Sequence, residues 1–499
     1  LFAGSLLENG FLKTQPHQPV FGGKKTAPCR PDEGYGIFIV QQNPDRHKEP
    51  TRTSAKRLSN KPGPQAITKA LDSPHAHRYQ SISILPISPE RALPKPVFHY
   101  GYVIVAVGVA TLFCCIGLAR FGYTVLIPGM RQGLDLSYKA IGFIGAANFS
   151  GYLLAVFFAP TLIRTLRPRL TVAIGLALIS LSMMAISTCN GGYSIAALYF
   201  LTGIGTGWAN IPTMTLTTQW FARSHRGRAA GLVICGNGLG IIFVGFAVPL
   251  CGELYGASGW RASWLLLGLV SLTVALAALL LLRNDPRALG LAPVGHDPLP
   301  PAQPPSRPTT EAEDRTYLLR LGILYLIYGA TFMIYGTFIV ATMIGEYNLD
   351  AITAGVYWSW VGGFSLFSGL AFGTLSDRIG RRRGLLTVFV VQTVCYLLVA
   401  MDGGLAALVV SIALYGMAVF AAPAIVTAAI GDRYQASRVA GAFSNATFFF
   451  AFGQIIGPAL AGMIGSEAEG FSLAYLVAAA LTAIAACGTF LLPKTTSHR

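Results

Sequence analysis

From residue 98 onward the chain is a succession of apolar runs, each about 20 residues long, the length a helix needs to cross a bilayer. They are centred near residues 113, 150, 180, 207, 240, 272, 331, 363, 392, 415, 451 and 480. Inside lipid only helices and closed barrels satisfy their own backbone, so the runs predict an all-α polytopic membrane protein with twelve transmembrane helices. Charged residues make up 12% of the chain, against roughly a quarter in soluble proteins. A net charge of +16 would suggest nucleic acid in a soluble chain. Here most basic residues sit in short loops between apolar runs, where they set topology, and nucleic-acid binding is excluded. The eight cysteines are scattered, with no CxxC pair and no histidine at ligand spacing, so neither a disulfide framework nor a metal site is indicated.

Residues 1–97 are a different material, with 14 Lys or Arg against 7 Asp or Glu, many Pro, Ser and Gln, and no sustained apolar run. This composition predicts disorder, and no h-region marks a signal peptide. The chain begins with Leu, and its first Met is Met130, beyond the first apolar run. We expect an over-extended gene model with a start near Leu93 or Val97, the alternative being a genuine cytoplasmic tail. An intact mass that includes residues 1–90 would refute the first reading.

The proline- and charge-rich stretch 283–315, "RNDPRALGLAPVGHDPLPPAQPPSRPTTEAEDR", reads as a linker. It divides the membrane part into a six-helix bundle at 98–283, a linker at 284–316 and a second bundle with a short tail at 317–499. Lys and Arg cluster on one side, at 164–169, 223–228, 378–383 and 433–438, together with the linker and C-terminus; only Arg131, Lys139 and Arg261 lie opposite. Both termini are therefore expected in the cytoplasm. Slid by some 210 residues, the halves match: Gly117 and Tyr123 fall on Gly329 and Tyr335, and Pro212 on Pro423. Arg223, Arg228 and Gly231 likewise fall on Arg433, Arg438 and Gly441. Such a duplication, with a site between the repeats at mid-depth, describes a rocking carrier.

The loop after the eighth run reads "GTLSDRIGRRRG". It resembles the cytoplasmic loop signature of the major facilitator superfamily at Gly373, Leu375, Asp377, Arg378, Gly380, Arg381 and Arg382. Gly373 permits close helix approach, Gly380 a tight turn, and the arginines hold the loop on the cytoplasmic side. The resemblance implies that Asp377 is a latch, facing the positive N-terminus of a helix in the other half near Gly227 and Arg228. In the first half the equivalent loop, "APTLIRTLRPR", has lost the aspartate, which leaves a symmetric latch unsupported. "GLARFGYTVLIPGM" with "IGFIGAANFSGYLLA", "ANIPTMTLTTQWFARSHRGRAAGL" and "FGQIIGPALAG" resembles the bacterial YbfB/YjiJ-type branch over roughly residues 98 to 495. That implies a transporter of the bacterial cytoplasmic membrane, and it brings no substrate with it. Where proton-coupled members often carry an arginine in the fourth span, this chain has "LYFLT", with Tyr199 near that place.

No carboxylate falls at mid-membrane, and every Lys and Arg after residue 98 lies near the end of a run except Arg120. An arginine at the centre of a span costs about 2.5–3.5 kcal/mol on insertion scales and usually faces a cavity; the competing reading is a span that ends near Ala119 with Arg120 snorkelling outward. Since "FGYTVLIP" continues apolar for eight residues, Arg120 would lie about 12 Å below the end at Pro128. Asn148 reaches nearly the same depth on the second run, with Tyr152 one turn further on and Tyr123 three residues outward of Arg120. Arg120, Tyr123, Asn148 and Tyr152 form a candidate substrate cluster, with Tyr335 as the repeat mate of Tyr123 and with Asn237 and Gln454 as further lining residues. Each of these polar residues also has a packing reading.

A guanidinium without a membrane carboxylate is best satisfied by an anion, and its planar fork suits a carboxylate. The expected substrate is a small organic anion, or an amphipathic acid given Phe143, Phe149, Trp358 and Trp360. Gly457 and Pro458 mark a pliable point in the eleventh run; the pattern resembles one that superfamily exchangers carry, usually in the fifth span, where this chain has "GNGLG" without proline, and that resemblance hints at export or exchange. The alternatives are a broad drug or sugar exporter and a non-transporting sensor. No cofactor and no catalytic set is apparent, and the carrier is expected to work as a monomer in the lipid bilayer.

Overall fold

The structure, a computed structural model, describes residues 99–295, 311–434, 436–468 and 470–493. The tail at 1–97, the middle of the expected linker and the last residues lie outside the described residues. Among the described residues, twelve long helices fall on the twelve apolar runs. Helix α1, Gly101–Leu134, is followed by two limbs of Tyr138–Ile186 that meet at Arg167, here α2 (138–166) and α3 (168–186). Then come α4 (Gly192–Trp220), α5 (Arg223–Tyr255) and α6 (Gly259–Leu281). The second set is α7 (Glu311–Gly345), α8 (Ala351–Ile379), α9 (Arg381–Ala400), α10 (Gly404–Arg433, with a break after Ala418), α11 (Ala436–Glu467) and α12 (Ser472–Gly488).

Local chemistry sets the ends. Helix α1 stops at Asp135 in a left-handed conformation, and Ser137 caps α2 by accepting from the Ala140 N–H. Asp350 caps α8 in the same way through Thr353, relieving an N–H that has no partner within the helix. Among the described residues, eight continuous segments are long and apolar enough to cross a membrane, two of them holding two helices each. Helices α4 and α8, richer in Gly, Ser and Thr, complete the set. The outer surface exposes Phe157, Leu181, Phe246, Leu280, Phe367, Leu370 and Ile484. So broad an apolar surface matches a hydrocarbon solvent.

The packing repeats itself. Helix α1 packs on α5, α2 on α4 and α3 on α6; in the second set α7 packs on α11, α8 on α10 and α9 on α12. Helices α1 and α5 approach closely at Gly117 on Gly240, where an added methyl on Gly117 would stand 2.5 Å from the Gly240 Cα. The two sets meet through α2 with α11, α5 with α8, and α1 with α7. The Thr124 hydroxyl donates to the Gly336 carbonyl across the last of these contacts.

The sets close at one end and part at the other. Gly245 lies against Gly355, and Gly142 against Pro458 and Gly462, on the ends carrying the α1–α2 and α7–α8 connections. On the opposite ends a methyl on Gly227, Gly231, Gly373, Gly431 or Gly441 would meet nothing within 4 Å. On that side of the second set a cavity of about 670 Å³ lies between α7 and α11, lined by Asp314, Arg438, Asn445 and Phe449 among others. The described start of the expected linker is anchored. Ala222 N–H donates to Val294 O, Val294 N–H to Trp220 O, and the Trp220 indole to Arg283 O.

Candidate functional site

Helix α1 changes its winding at its centre. Residues Phe113–Phe121 form a π-helical segment, a wide turn that is rare and recurs at functional sites. Neighbouring α4 supplies hydroxyls to its carbonyls: Thr206 donates to Cys115 O at 3.2 Å and Tyr199 to Ala119 O at 2.9 Å. Arg120 sits at the end of this segment.

The Arg120 guanidinium carbon lies 4.9 Å above the Phe149 ring and 4.7 Å above the Tyr152 ring. Both rings come from one face of α2, three residues apart. Cation–π contacts of this kind are worth about 2 kcal/mol when desolvated, and they take over part of the role of lost hydration. Nε and Nη2 of Arg120 are buried without a hydrogen-bond partner. These two nitrogens share one edge of the guanidinium, the edge that receives a carboxylate side-on.

Several expected residues are likewise buried with unpaired amide atoms. Asn148 is buried; its Nδ2 donates to Tyr199 O at 3.0 Å and its Oδ1 has no partner. Gln454 is fully buried with neither amide atom paired. It shares a helix face with Pro458, four residues on, and Pro458 rests on Gly142 and Gly145 of α2. Helices α2 and α11 run antiparallel, with Phe157 meeting Phe448 at 6.3 Å. That register sets Gln454 one turn inward of Gly145, at the depth of Phe149. Asn237, also buried with a free Oδ1, lies on α5 beside Gly117.

Two tyrosines go elsewhere. The Tyr123 hydroxyl is used on Ile141 O at 2.8 Å, with its ring tilted against Tyr199 at 4.8 Å between centroids. Tyr335 bonds Ser411 at 2.9 Å inside an aromatic cluster with Tyr396, Tyr415 and Tyr475. The repeat mates thus occupy matching packing positions, and neither hydroxyl is free. Of the aromatic walls expected, Phe149 carries Arg120 and Trp358 meets Phe121 at 6.0 Å, while Phe143 and Trp360 face outward. Gly457 touches the Ala330 backbone of α7, and α11 continues through Pro458 without a break.

Sequence reasoning missed Tyr199 as a structural partner of α1, Asn210 facing Tyr152, and Tyr325, which approaches Tyr152 from the second set and stacks on Phe450 at 4.4 Å. None carries a signal in a single run, because each matters through the helix it meets.

In the signature loop Gly380 has φ 90°, ending α8, a conformation that favours glycine. Asp377 pairs with Arg381, whose Nε also reaches Asp432 at 2.8 Å and whose Nη1 reaches the Ser376 hydroxyl. Arg378 is exposed, and Arg382 lies over Phe490. Arg433 bonds Asp314 at 3.1 Å, tying the end of α10 to the start of α7. Gly227 and Arg228 face open space, so in this conformation Asp377 is engaged within its own half. Among the described residues no cluster of His, Cys, Asp or Glu could hold a metal ion.

Helix order, the repeated packing and an interior charge define the class: a helical membrane transporter with the major facilitator fold. The chain superposes on the crystal structure of a D-xylose-proton symporter with a TM-score of 0.64, at 14% identity, over 80% of this chain and all of that one. Residues 112–489 match the sequence family described as "Uncharacterised MFS-type transporter YbfB", and the chain belongs to that family. It is a transporter and not an enzyme.

Among relatives, it is 26% identical over 286 residues to a "Probable hexose phosphate transport protein" of Chlamydia pneumoniae, covering 52% of this chain and 61% of that protein. It is 25% identical over 383 residues to a "Hexuronate transporter" of Bacillus subtilis, covering 74% of this chain and 89% of that one.

Proposed function

We propose that this transporter carries a small organic anion, bound at Arg120, by alternating access between two six-helix bundles. The bundles are residues 98–283 and 317–499, joined by a linker at 284–316, with all twelve helices crossing the membrane. Lys and Arg clusters put the parted end, the linker and both termini in the cytoplasm, so the conformation described is open inward. The membrane is the bacterial cytoplasmic membrane.

The reading rests on one observation: the Nε and Nη2 edge of Arg120 is buried and without a partner. A buried cationic donor left unpaired is costly, and an anion supplies the missing bonds. The hexose phosphate and hexuronate named for the two relatives are both anions, which supports the sign of the ligand. The helix contacts α2–α11 and α5–α8 would open at their closed ends as the parted ends close, exposing Arg120 to each side in turn.

A thermal-shift panel of carboxylates, amines and sugars on the purified chain tests this, repeated with Arg120→Gln. Losing charge-assisted hydrogen bonds worth about 1.5–3 kcal/mol should weaken anion binding at least tenfold. Stabilisation only by neutral or cationic compounds, unchanged in the variant, would refute it.

A further inference from the structure

From the Arg120 and Gln454 pair we infer that the substrate is a hydroxylated monocarboxylate, its carboxylate on the first bundle and a hydroxyl on the second. The inference rests on the anion reading and narrows it. Gln454 is fully buried, and both its donor, Nε2, and its acceptor, Oε1, lack partners. Its register on α11, against α2, sets it level with Phe149, the ring over which the Arg120 guanidinium lies.

The two orphaned groups select by what they need. A primary amide with both atoms free requires a ligand group that donates and accepts, and a hydroxyl is the smallest group that does both. An ammonium only donates, and a carbonyl, ether or ionised phosphate only accepts, so each would leave half of Gln454 buried and unpaired. The cation side selects in parallel. One guanidinium edge matches one planar carboxylate, and the position equivalent to Arg120 in the second half is Phe332, packed at 5.4 Å against Tyr328. A phosphate dianion finds no second charge there. The free Oδ1 of Asn148, on the same stretch of α2, accepts a further hydroxyl. Because Arg120 and Gln454 belong to different bundles, a ligand that engages both ties its binding to their relative position.

Titration calorimetry on the full chain in lipid nanodiscs tests this with two matched pairs, lactate against propionate and gluconate against hexanoate. Sites built to hydrogen-bond a hydroxyl reject analogues that lack it. The hydroxylated member of at least one pair should therefore bind at least about tenfold more tightly. Gln454→Leu should bring that ratio to within about threefold of one while carboxylate binding persists.

If in both pairs the plain acid binds wild-type protein as tightly as its hydroxylated partner, the inference falls, whether or not the variant folds. It falls also if Gln454→Leu is monodisperse and keeps the full ratio. A different result marks failure of the underlying anion reading: no carboxylate binds the wild type, or Arg120→Gln binds both pairs as the wild type does. That result removes the narrower claim with it.

Discussion

At the scale of single residues, Arg120 is held by shape and aromatic surface with no carboxylate beside it. Phe149 and Tyr152 lie under the guanidinium, and Tyr199 holds the carbonyl of the preceding residue. Arg120, Asn148, Tyr152 and Gln454 were legible in the sequence because a polar residue inside an apolar run has few reasons to be there. Tyr199, Asn210 and Tyr325 were not, since a tyrosine or asparagine in α4 or α7 gains its role only when α1 or α2 lies against it. Tyr123 and Tyr335 were legible as repeat mates, yet both spend their hydroxyls on packing. Tyr199→Phe should leave the Ala119 carbonyl without its side-chain donor and cost about 1 kcal/mol of stability. Anion affinity should also fall severalfold as Arg120 loosens. Thermal unfolding and anion titration read the two effects separately, and unchanged affinity would show that Tyr199 does not position Arg120.

At the scale of elements, two features of the helices stand out. The π-helical turn in α1 has no sequence signature, but its causes can be named: hydroxyls from Thr206 and Tyr199 reach its carbonyls, and Gly117 allows α5 to approach. The second feature links the two halves. Gly380 ends α8 with φ 90° and ψ 147°, and at the matching place in the first half Arg167 adopts φ 64° and ψ 157°. The two halves share this backbone conformation, with glycine in the second and arginine in the first. That region of φ and ψ is nearly restricted to glycine and costs other residues about 1–3 kcal/mol. Arg167→Gly should therefore raise stability by about 1 kcal/mol, measured as a higher unfolding temperature in detergent. A lower temperature would mean that the Arg167 side chain contributes more than its backbone strain removes.

At the scale of the whole molecule, the conformation is closed at one end and parted at the other, and the charge pairs follow from that. Asp377, Arg381 and Asp432 are joined within the second half, while Gly227 and Arg228 are free of them. The latch proposed for Asp377 on the N-terminus of α5 would form only when the parted ends meet. A carboxylate at a helix N-terminus contributes about 0.3–1 kcal/mol, enough to shift a balanced two-state population about twofold to fivefold. Asp377→Asn should favour the parted state. In a cysteine-free background, Gly441→Cys, at an open position on the parted ends, should react faster with a membrane-impermeant maleimide applied to inverted vesicles. An unchanged rate would refute the latch.

Run lengths, loop charges and the duplicated pattern determined the number and type of helices and the outlying charge, because in lipid a helix must satisfy its own backbone before it meets a neighbour. Which helices pair, where α1 widens, which hydroxyls are already taken and which buried edge of Arg120 stays free were decided only by the tertiary structure. Those outcomes depend on contacts between residues far apart in the chain, such as Gly117 with Gly240, Asn148 with Tyr199, and Pro458 with Gly142. No single run encodes which partner it will find.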